Sequence, residues 1–351
     1  MRASDRPGLA LYLALAWAGL VVYASLYPFT GWRDTGVNPL AFLGGAWPRY
    51  FTWFDVLTNV AAYAPLGFAW CVALRRHRDR PAAPLLAAVI GLVLSGALEM
   101  AQNYLPSRVA SNLDLACNAT GALVGAVAAM RWGGVALAGG RLPDLGQRLF
   151  APRRGVDAGL VLLAMWLVTQ LDPALLPFGA GDLRRPLDLP GAQHFAVERF
   201  QEIETAIAAT GLLAGLTIAG LMTVARHRHG FVAGVLLAAL GIKTLAHALL
   251  MGPQRALAWA TPGVLLGIAV GLLLWLLASY TVTRVQRAIA ALALLLATAM
   301  VNIAPLNPYL DHTFQIWNPG QFLHFHGLTQ FVGSLWPFLA LPWLMLLSSE
   351  D

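Results

Sequence analysis

Charged residues are scarce in this chain. Only 11% of its 351 residues are Asp, Glu, Lys or Arg, whereas 58% are hydrophobic. Soluble domains carry about 25% charged residues, so this composition argues against a soluble globular protein. Apolar runs of about 20 residues, the length of a helix that crosses a bilayer, recur along the whole chain. The sequence therefore predicts an all-α fold, that of a polytopic helical membrane protein.

Cysteine and the common catalytic motifs are also largely missing. The two cysteines, Cys71 and Cys117, each lie inside an apolar run, which argues against a disulfide framework or a thiolate metal site. The chain has no G-x-S-x-G, no P-loop and no H-E-x-x-H motif. A segment near the C-terminus holds four residues that could bind a metal, but in no recognised spacing: Asp311, His312, His324 and His326. The sequence predicts no metal and no cofactor.

Lysine occurs once, at Lys243, against 22 arginines, and the formal net charge is +6. In a membrane protein such an excess belongs to the cytoplasmic loops, so we do not interpret it as nucleic-acid binding. If the N-terminus is inside, the inner segments carry 15 arginines and the outer segments carry 7. The positive-inside rule therefore predicts that both termini are cytoplasmic.

About ten segments have the length and apolar character of a membrane helix, and the fifth is the shortest. A Gly- and Arg-rich stretch follows the fourth. The predicted domains are a four-helix membrane domain (1–132), a cytoplasmic linker (133–156) and a six-helix membrane domain of unassigned role (157–351). The predicted spans lie near residues 9–27, 54–74, 84–104, 113–131, 157–172, 205–225, 231–250, 261–280, 287–304 and 330–347.

Three helices of the front domain each bring one carboxylate and one amide to the same predicted outer end. The members of each pair are three or four residues apart and so share a helix face. A charge at mid-bilayer costs about 2.5–3.5 kcal/mol on insertion scales, so the pairs should face one another within the bundle. They are Asp55 with Asn59, Glu99 with Gln102, and Asp114 with Asn118, while Arg108 lies in the loop between the last two helices.

Against Arg108, the three carboxylates leave a formal charge of −2. Either a carboxyl group is protonated, or a cation or a cationic ligand group completes the site. Gly121 and Gly125 form a G-x-x-x-G motif that lets another helix approach closely. Pro65 and Gly67 are expected to bend the second helix and to open space beside its polar pair. Two interpretations stay open: a polar network that only joins three helices, and a binding or catalytic pocket.

These motifs resemble those of the VanZ-like family of bacterial membrane proteins. The matching stretches are "SLYPF", "DVLTNVAAYAPLGF", "EMAQNYLPSR" and "SNLDLACNATGALVGA", and the resemblance covers about residues 9–132. It implies a multi-pass protein of the bacterial inner membrane, connected with the cell envelope and with low-level resistance to teicoplanin. It implies no known reaction, and the long rear domain departs from the short members of the family.

The rear domain offers fewer candidates. Lys243 and His247 are four residues apart in a predicted span, where the lysine either pairs with Glu202 or a front-domain carboxylate or snorkels to the interface. Segment 195–203 is either an interfacial amphipathic helix or a plain surface helix that leads into the sixth span. The last outer segment is rich in aromatic residues typical of an interfacial belt: Tyr309, Phe314, Trp317, Phe322, Phe325 and Trp336.

The leading functional hypothesis is a cell-envelope protein that binds an amphiphile at the outer leaflet. The partner would be a membrane lipid, a lipid-linked saccharide, a peptidoglycan precursor or a lipoglycopeptide. The carboxylates would hold polar or cationic groups, the amides would bind a sugar or a phosphate, and Arg108 would pair with phosphate. The alternatives are a membrane enzyme that uses two carboxyls as acid and base, a transporter, and a structural assembly protein. The sequence does not predict an oligomeric state.

Overall fold

The computed structural model is all-helical, which confirms the predicted fold class. Its described residues form ten α-helices and no β-strand beyond one isolated bridge. The structure describes residues 8–27, 29–34, 36–48, 53–75, 81–106, 108–133, 146, 148–152, 155–173, 175–184, 197–305 and 323–347.

The ten helices divide between two compact units, Met1–Gln147 and Arg148–Asp351. The first unit holds α1 to α4 and the second holds α5 to α10. In chain order the helices are α1 Leu9–Leu26, α2 Trp53–Arg75, α3 Ala83–Gln102, α4 Asn112–Gly133, α5 Val156–Thr169, α6 Val197–Met222, α7 Arg228–Met251, α8 Pro262–Ser279, α9 Thr283–Ile303 and α10 Leu323–Leu346.

Nine of the helices in the described part of the chain are long and apolar enough to cross a membrane, so the protein is a multi-pass membrane protein. The exception is α5, the fifth predicted span. Its 14 residues reach only about 21 Å, short of the roughly 30 Å hydrocarbon core. Pro173 and Pro177 follow it and prevent the helix from continuing. The orientation with both termini inside stays a prediction.

In the first unit, α2 packs against α1, α3 and α4, and α3 also contacts α1 and α4. The α2–α4 contact is unusually close. A Cβ atom added to Gly125 would lie 1.8 Å from the backbone oxygen of Ala64, and one added to Gly121 would lie 2.4 Å from that of Val60. Only glycine permits such a backbone approach.

In the second unit, α6 is the central helix and packs against α5, α7, α8 and α9. Of its apolar stretch 83% is buried, against 22–50% in the other spans. A helix that is surrounded by other helices needs apolar and small residues on every face. The run "AIAATGLLAGLTIAGLM" has this composition.

Several predicted segments differ from the structure, and others lie outside the described residues. Residues 148–152 of the predicted linker belong to the second unit, where Phe150 bridges to Thr223. Residues 197–203 are the first turns of α6 rather than a separate helix. Trp336 is only 1% exposed and donates to the carbonyl of Leu162, so it is a core residue and not part of an interfacial belt. Most of the linker, residues 185–196 and the aromatic segment 306–322 lie outside the described residues, as do the side chains of His324, Phe325 and His326.

Candidate functional site

The three predicted carboxylates lie at one end of the first unit, where α1 and α3 end and α2 and α4 begin. Asp55 is in the first turn of α2 and Asp114 is in the first turn of α4. Glu99 lies in the last turn of α3. Asp114 interacts electrostatically with both of the other acids. The fold thus brings together, from three helices, the acids that the sequence spacing assigned to one end of the bundle.

The amides of two predicted pairs form hydrogen bonds between helices. The side-chain amide of Asn59 donates to Oδ1 of Asp114 over 2.9 Å and so joins α2 to α4. Oδ2 of Asp114 has no hydrogen-bond partner among the described residues. One turn deeper, Asn118 donates to the hydroxyl of Ser95 on α3, also over 2.9 Å.

Asn118 is 6% exposed, and its side-chain oxygen has no hydrogen-bond partner within the described part of the chain. A buried polar atom in this state has lost its hydration without compensation, at a cost of about 1–3 kcal/mol. The atom is therefore an available acceptor inside the bundle, one turn below the acids.

Glu99 is the most buried of the acids, at 3% exposure. Its Oε2 accepts a hydrogen bond from the backbone N–H of Ser111, 2.8 Å away. The Ser111 hydroxyl in turn accepts from the backbone N–H of Asp114, the arrangement of a helix N-cap. The carboxylate therefore sits where the dipole of α4 favours negative charge.

Sequence reasoning missed Ser95 and Ser111. Both carried a usable signal. Ser111 stands three residues before Asp114, the spacing of a capping box. Ser95 stands four residues before Glu99 and therefore on the same face of α3.

Gln102 and Arg108 donate hydrogen bonds to backbone carbonyls at the end of α1. The Gln102 amide donates to the carbonyl of Ser25 over 3.0 Å. The guanidinium of Arg108 donates to the carbonyls of Ala24 and Tyr27 over 3.0 and 3.1 Å. These are last-turn carbonyls that a helix leaves unsatisfied, and a cation there also complements the helix dipole.

Arg108 therefore does not neutralise the acids, contrary to the expected charge balance. Among the described residues it has no carboxylate within 4.0 Å. The physical reason is local. The loop after α3 passes the end of α1, and the open carbonyls of α1 are acceptors that lie within reach of the guanidinium.

The glycines of α2 and α4 hold the polar pairs in register. Gly121 and Gly125 lie directly against the backbone of α2. Gly67 was expected to open space, but a Cβ there would lie 1.9 Å from the backbone oxygen of Ala122. It therefore serves the same close packing. Pro65 lies inside α2 on an exposed part of its surface.

The secondary candidates Lys243 and His247 lie in α7. Lys243 is 2% exposed and donates to the carbonyls of Asp172 and Leu175 over 2.6 and 2.7 Å. The ring of His247 makes a hydrogen bond to the carbonyl of Lys243. Lys243 therefore does not snorkel to the interface. Its hydrogen-bond partners belong to the irregular segment after α5, rather than to Glu202 or to a front-domain acid.

Within the second unit this arrangement has a structural explanation. Residues 170–173 and 175–184 are non-helical, and most of them are buried, a state that a membrane protein tolerates only where protein groups satisfy the backbone. Lys243 provides two such bonds, and Thr329 donates to the carboxylate of Asp172 over 2.9 Å. Sequence reasoning missed Asp172 and Thr329, because their partners are more than 70 residues away in the chain.

The described residues contain no group of three or more His, Cys, Asp or Glu arranged to hold a metal ion. In comparisons with known proteins, a family model described as VanZ/LLP1 matches residues 10–133. This confirms the resemblance that the motifs of the front unit indicated. No curated protein and no solved structure matches the chain.

Proposed function

Because residues 10–133 match the VanZ/LLP1 family model and the chain is that of a multi-pass membrane protein, we propose that this part of the chain binds an amphiphile of the bacterial cell envelope. The ligand is a lipid, a glycolipid such as a lipid-linked saccharide or peptidoglycan precursor, or a lipoglycopeptide. It binds at the outer leaflet of the inner membrane. The observation that carries the proposal is the cluster of Asp55, Glu99 and Asp114, to which Arg108 supplies no countercharge.

The charge of the cluster defines the headgroup chemistry. Asp114 interacts electrostatically with both other acids, and Arg108 is occupied by the end of α1. Clustered carboxylates at a membrane interface, here without a contact to Arg108, favour a partner that brings positive charge or hydroxyl donors. We therefore expect a headgroup with an amine or a sugar, and not phosphate recognition by Arg108.

Two acceptors are positioned for such a headgroup. Oδ2 of Asp114 lies at the end of the bundle, and the unpaired oxygen of Asn118 lies one turn deeper. Trp53, Leu57 and Val109 are exposed near this end of the unit. Together these residues would place an apolar chain beside the acids, as an amphiphile requires.

The test is native mass spectrometry of the full chain purified from membranes. The informative variant is D114N/E99Q, because Asn and Gln keep an acceptor for Asn59 and for the N–H of Ser111 while the charge is removed. The control variant D34N/E202Q removes two exposed carboxylates that are not members of the cluster. Wild type and control should retain a specific lipid or glycolipid adduct that D114N/E99Q loses.

The proposal fails if D114N/E99Q retains the adducts of the wild type. It also fails if both carry the same unselective lipids and the variant only melts at a lower temperature, since the acids then form a structural network. Teicoplanin added to the purified protein and its control tests the lipoglycopeptide class directly. A rise in teicoplanin tolerance of a susceptible host expressing the wild type, and not D114N/E99Q, would extend the proposal to resistance.

A membrane enzyme of the same site is the second candidate. One observation favours it: the acids occupy different surroundings, with Glu99 buried, Asp114 half-buried and Asp55 exposed. Acid–base pairs need such a difference, because it separates the proton affinities of the two groups. For an enzyme, D114N alone should abolish turnover of a lipid-linked saccharide or phosphate while the adduct is still retained.

A further inference from the structure

The second unit contains a groove of about 590 Å³, within the roughly 300–1,000 Å³ of ligand sites. It is open to the surface and lies between α5 and the first half of α7. Its sides are apolar: Leu163 and Leu167 belong to α5, Phe231 and Val235 belong to α7, and Leu149 lies at one end. The groove is separate from the acidic cluster, which is in the other unit.

The base of the groove is formed by small residues of α7. Gly230, Gly234 and Ala238 follow one another at four-residue spacing and all line it. A Cβ atom added to Gly230 or Gly234 would meet nothing within 4 Å. These two glycines therefore do not serve helix packing, as Gly121 and Gly125 do. Their missing side chains leave the volume of the groove open.

One end of the groove is basic. Arg226 and His227, in the short turn before α7, line it, and no acidic residue does. Arg226 is exposed and forms no ion pair with any described residue. A cation above an apolar groove between helices is the arrangement that recognises an anionic lipid headgroup, since the guanidinium pairs with phosphate and the apolar walls cover the chain.

We propose that this groove binds one anionic phospholipid. An acyl chain lies between α5 and α7 over Gly230 and Gly234, and the phosphate lies at Arg226 and His227. The charge of the end residues favours this occupant over a zwitterionic lipid, whose ammonium group offsets the negative charge of the phosphate. It also distinguishes it from a second copy of the chain, whose helix would pack on the glycines alone.

The experiment titrates the purified full-length protein with phosphatidylglycerol and, in parallel, with phosphatidylcholine of the same acyl chains. Bound lipid is counted by native mass spectrometry. The wild type should take up one phosphatidylglycerol saturably, at a lower concentration than phosphatidylcholine. G234L fills the groove and should weaken this uptake about tenfold or more. R226Q should reduce the preference for phosphatidylglycerol roughly fivefold, the usual effect of one basic residue.

The matched control is G241L. Gly241 is also on α7, is also exposed and has nothing within 4 Å of an added Cβ, but it does not line the groove. G241L should bind both lipids as the wild type does, which would show that α7 accepts a leucine. Equal uptake of the two lipids by the wild type would overturn the proposal, as would unchanged uptake by G234L. A dimer that G234L dissociates, without a change in lipid count, would assign the groove to a second copy.

Discussion

The close approach of α2 and α4 makes Gly125→Ala the most informative single substitution. A Cβ at this position would lie 1.8 Å from the backbone oxygen of Ala64, whereas ordinary contact begins at 3.4 Å, so the two helices must separate by about 1.6 Å. The obstacle is backbone and cannot rotate away. Overpacking of this kind costs about 1–3 kcal/mol. The glycine also belongs to a series with Gly121 and Gly67, so we expect the upper half of that range.

The assay is thermal unfolding of the purified protein in detergent, followed by intrinsic tryptophan fluorescence. A loss of about 2–3 kcal/mol corresponds to a fall in Tm of roughly 4–12 °C for a unit of this size. Separation of α2 from α4 should also lengthen the hydrogen bond between Asn59 and Asp114, now 2.9 Å. G125A is therefore expected to retain less of the amphiphile adduct than the wild type.

The control is Gly19→Ala on α1, where nothing lies within 4 Å of an added Cβ. Alanine is the better helix former by about 1 kcal/mol, so G19A should melt at or slightly above the temperature of the wild type. If G125A is as stable as G19A, the two backbones are not in contact and the packing argument for this unit is wrong.

Three further variants test the polar contacts by the same melting assay, and the last of them is also tested for the amphiphile adduct. Arg108→Gln should destabilise the first unit by about 1–2 kcal/mol, because charged hydrogen bonds to the end of α1 are lost; an unchanged Tm would show that the guanidinium binds elsewhere. Lys243→Met should cost about 2–4 kcal/mol, because two buried carbonyls lose their donor; wild-type melting would contradict the role of Lys243 in holding the segment after α5. The double variant N118L/S95A replaces both partners of one buried hydrogen bond by apolar groups, which is nearly neutral for stability. It should melt like the wild type but lose the amphiphile adduct, and retention of the adduct would assign Asn118 to structure alone.

The sequence was a sound guide to the helices of the first unit because local signals determine them. Apolar runs of bilayer length and the glycines of α4 act within a few residues. The capping spacing of Ser111 is equally local, although sequence reasoning missed it. The juxtaposition of Asp55, Glu99 and Asp114 followed from helix direction alone. In an antiparallel bundle the first turn of one helix lies beside the last turn of its neighbour. Such features need no knowledge of distant contacts.

Features that depend on distant contacts were harder to predict. Arg108 was assigned to the acids because it is close to them in sequence, but the carbonyls of α1 are more than 80 residues earlier in the chain. Lys243 was expected either to pair with an acid or to snorkel to the interface, whereas the buried non-helical segment after Thr169 supplied backbone acceptors. In both cases the cation donates hydrogen bonds to backbone carbonyl groups. The sequence does not show that these carbonyls are available as acceptors.

The position of Arg108 bears on the choice between a structural network and a binding site. In a purely structural network the basic residue nearest the acids would be expected to neutralise them, because the bilayer makes an uncompensated charge expensive. Here the cation binds α1, the backbone N–H of Ser111 donates to Glu99, and Asp114 keeps an oxygen without a partner among the described residues. The hydrogen bonds that join the helices therefore bring no positive charge from Arg108 to the cluster. A ligand that brings positive charge would lower the cost of holding these acids together when it binds, and a receptor for an amphiphile would gain affinity in this way.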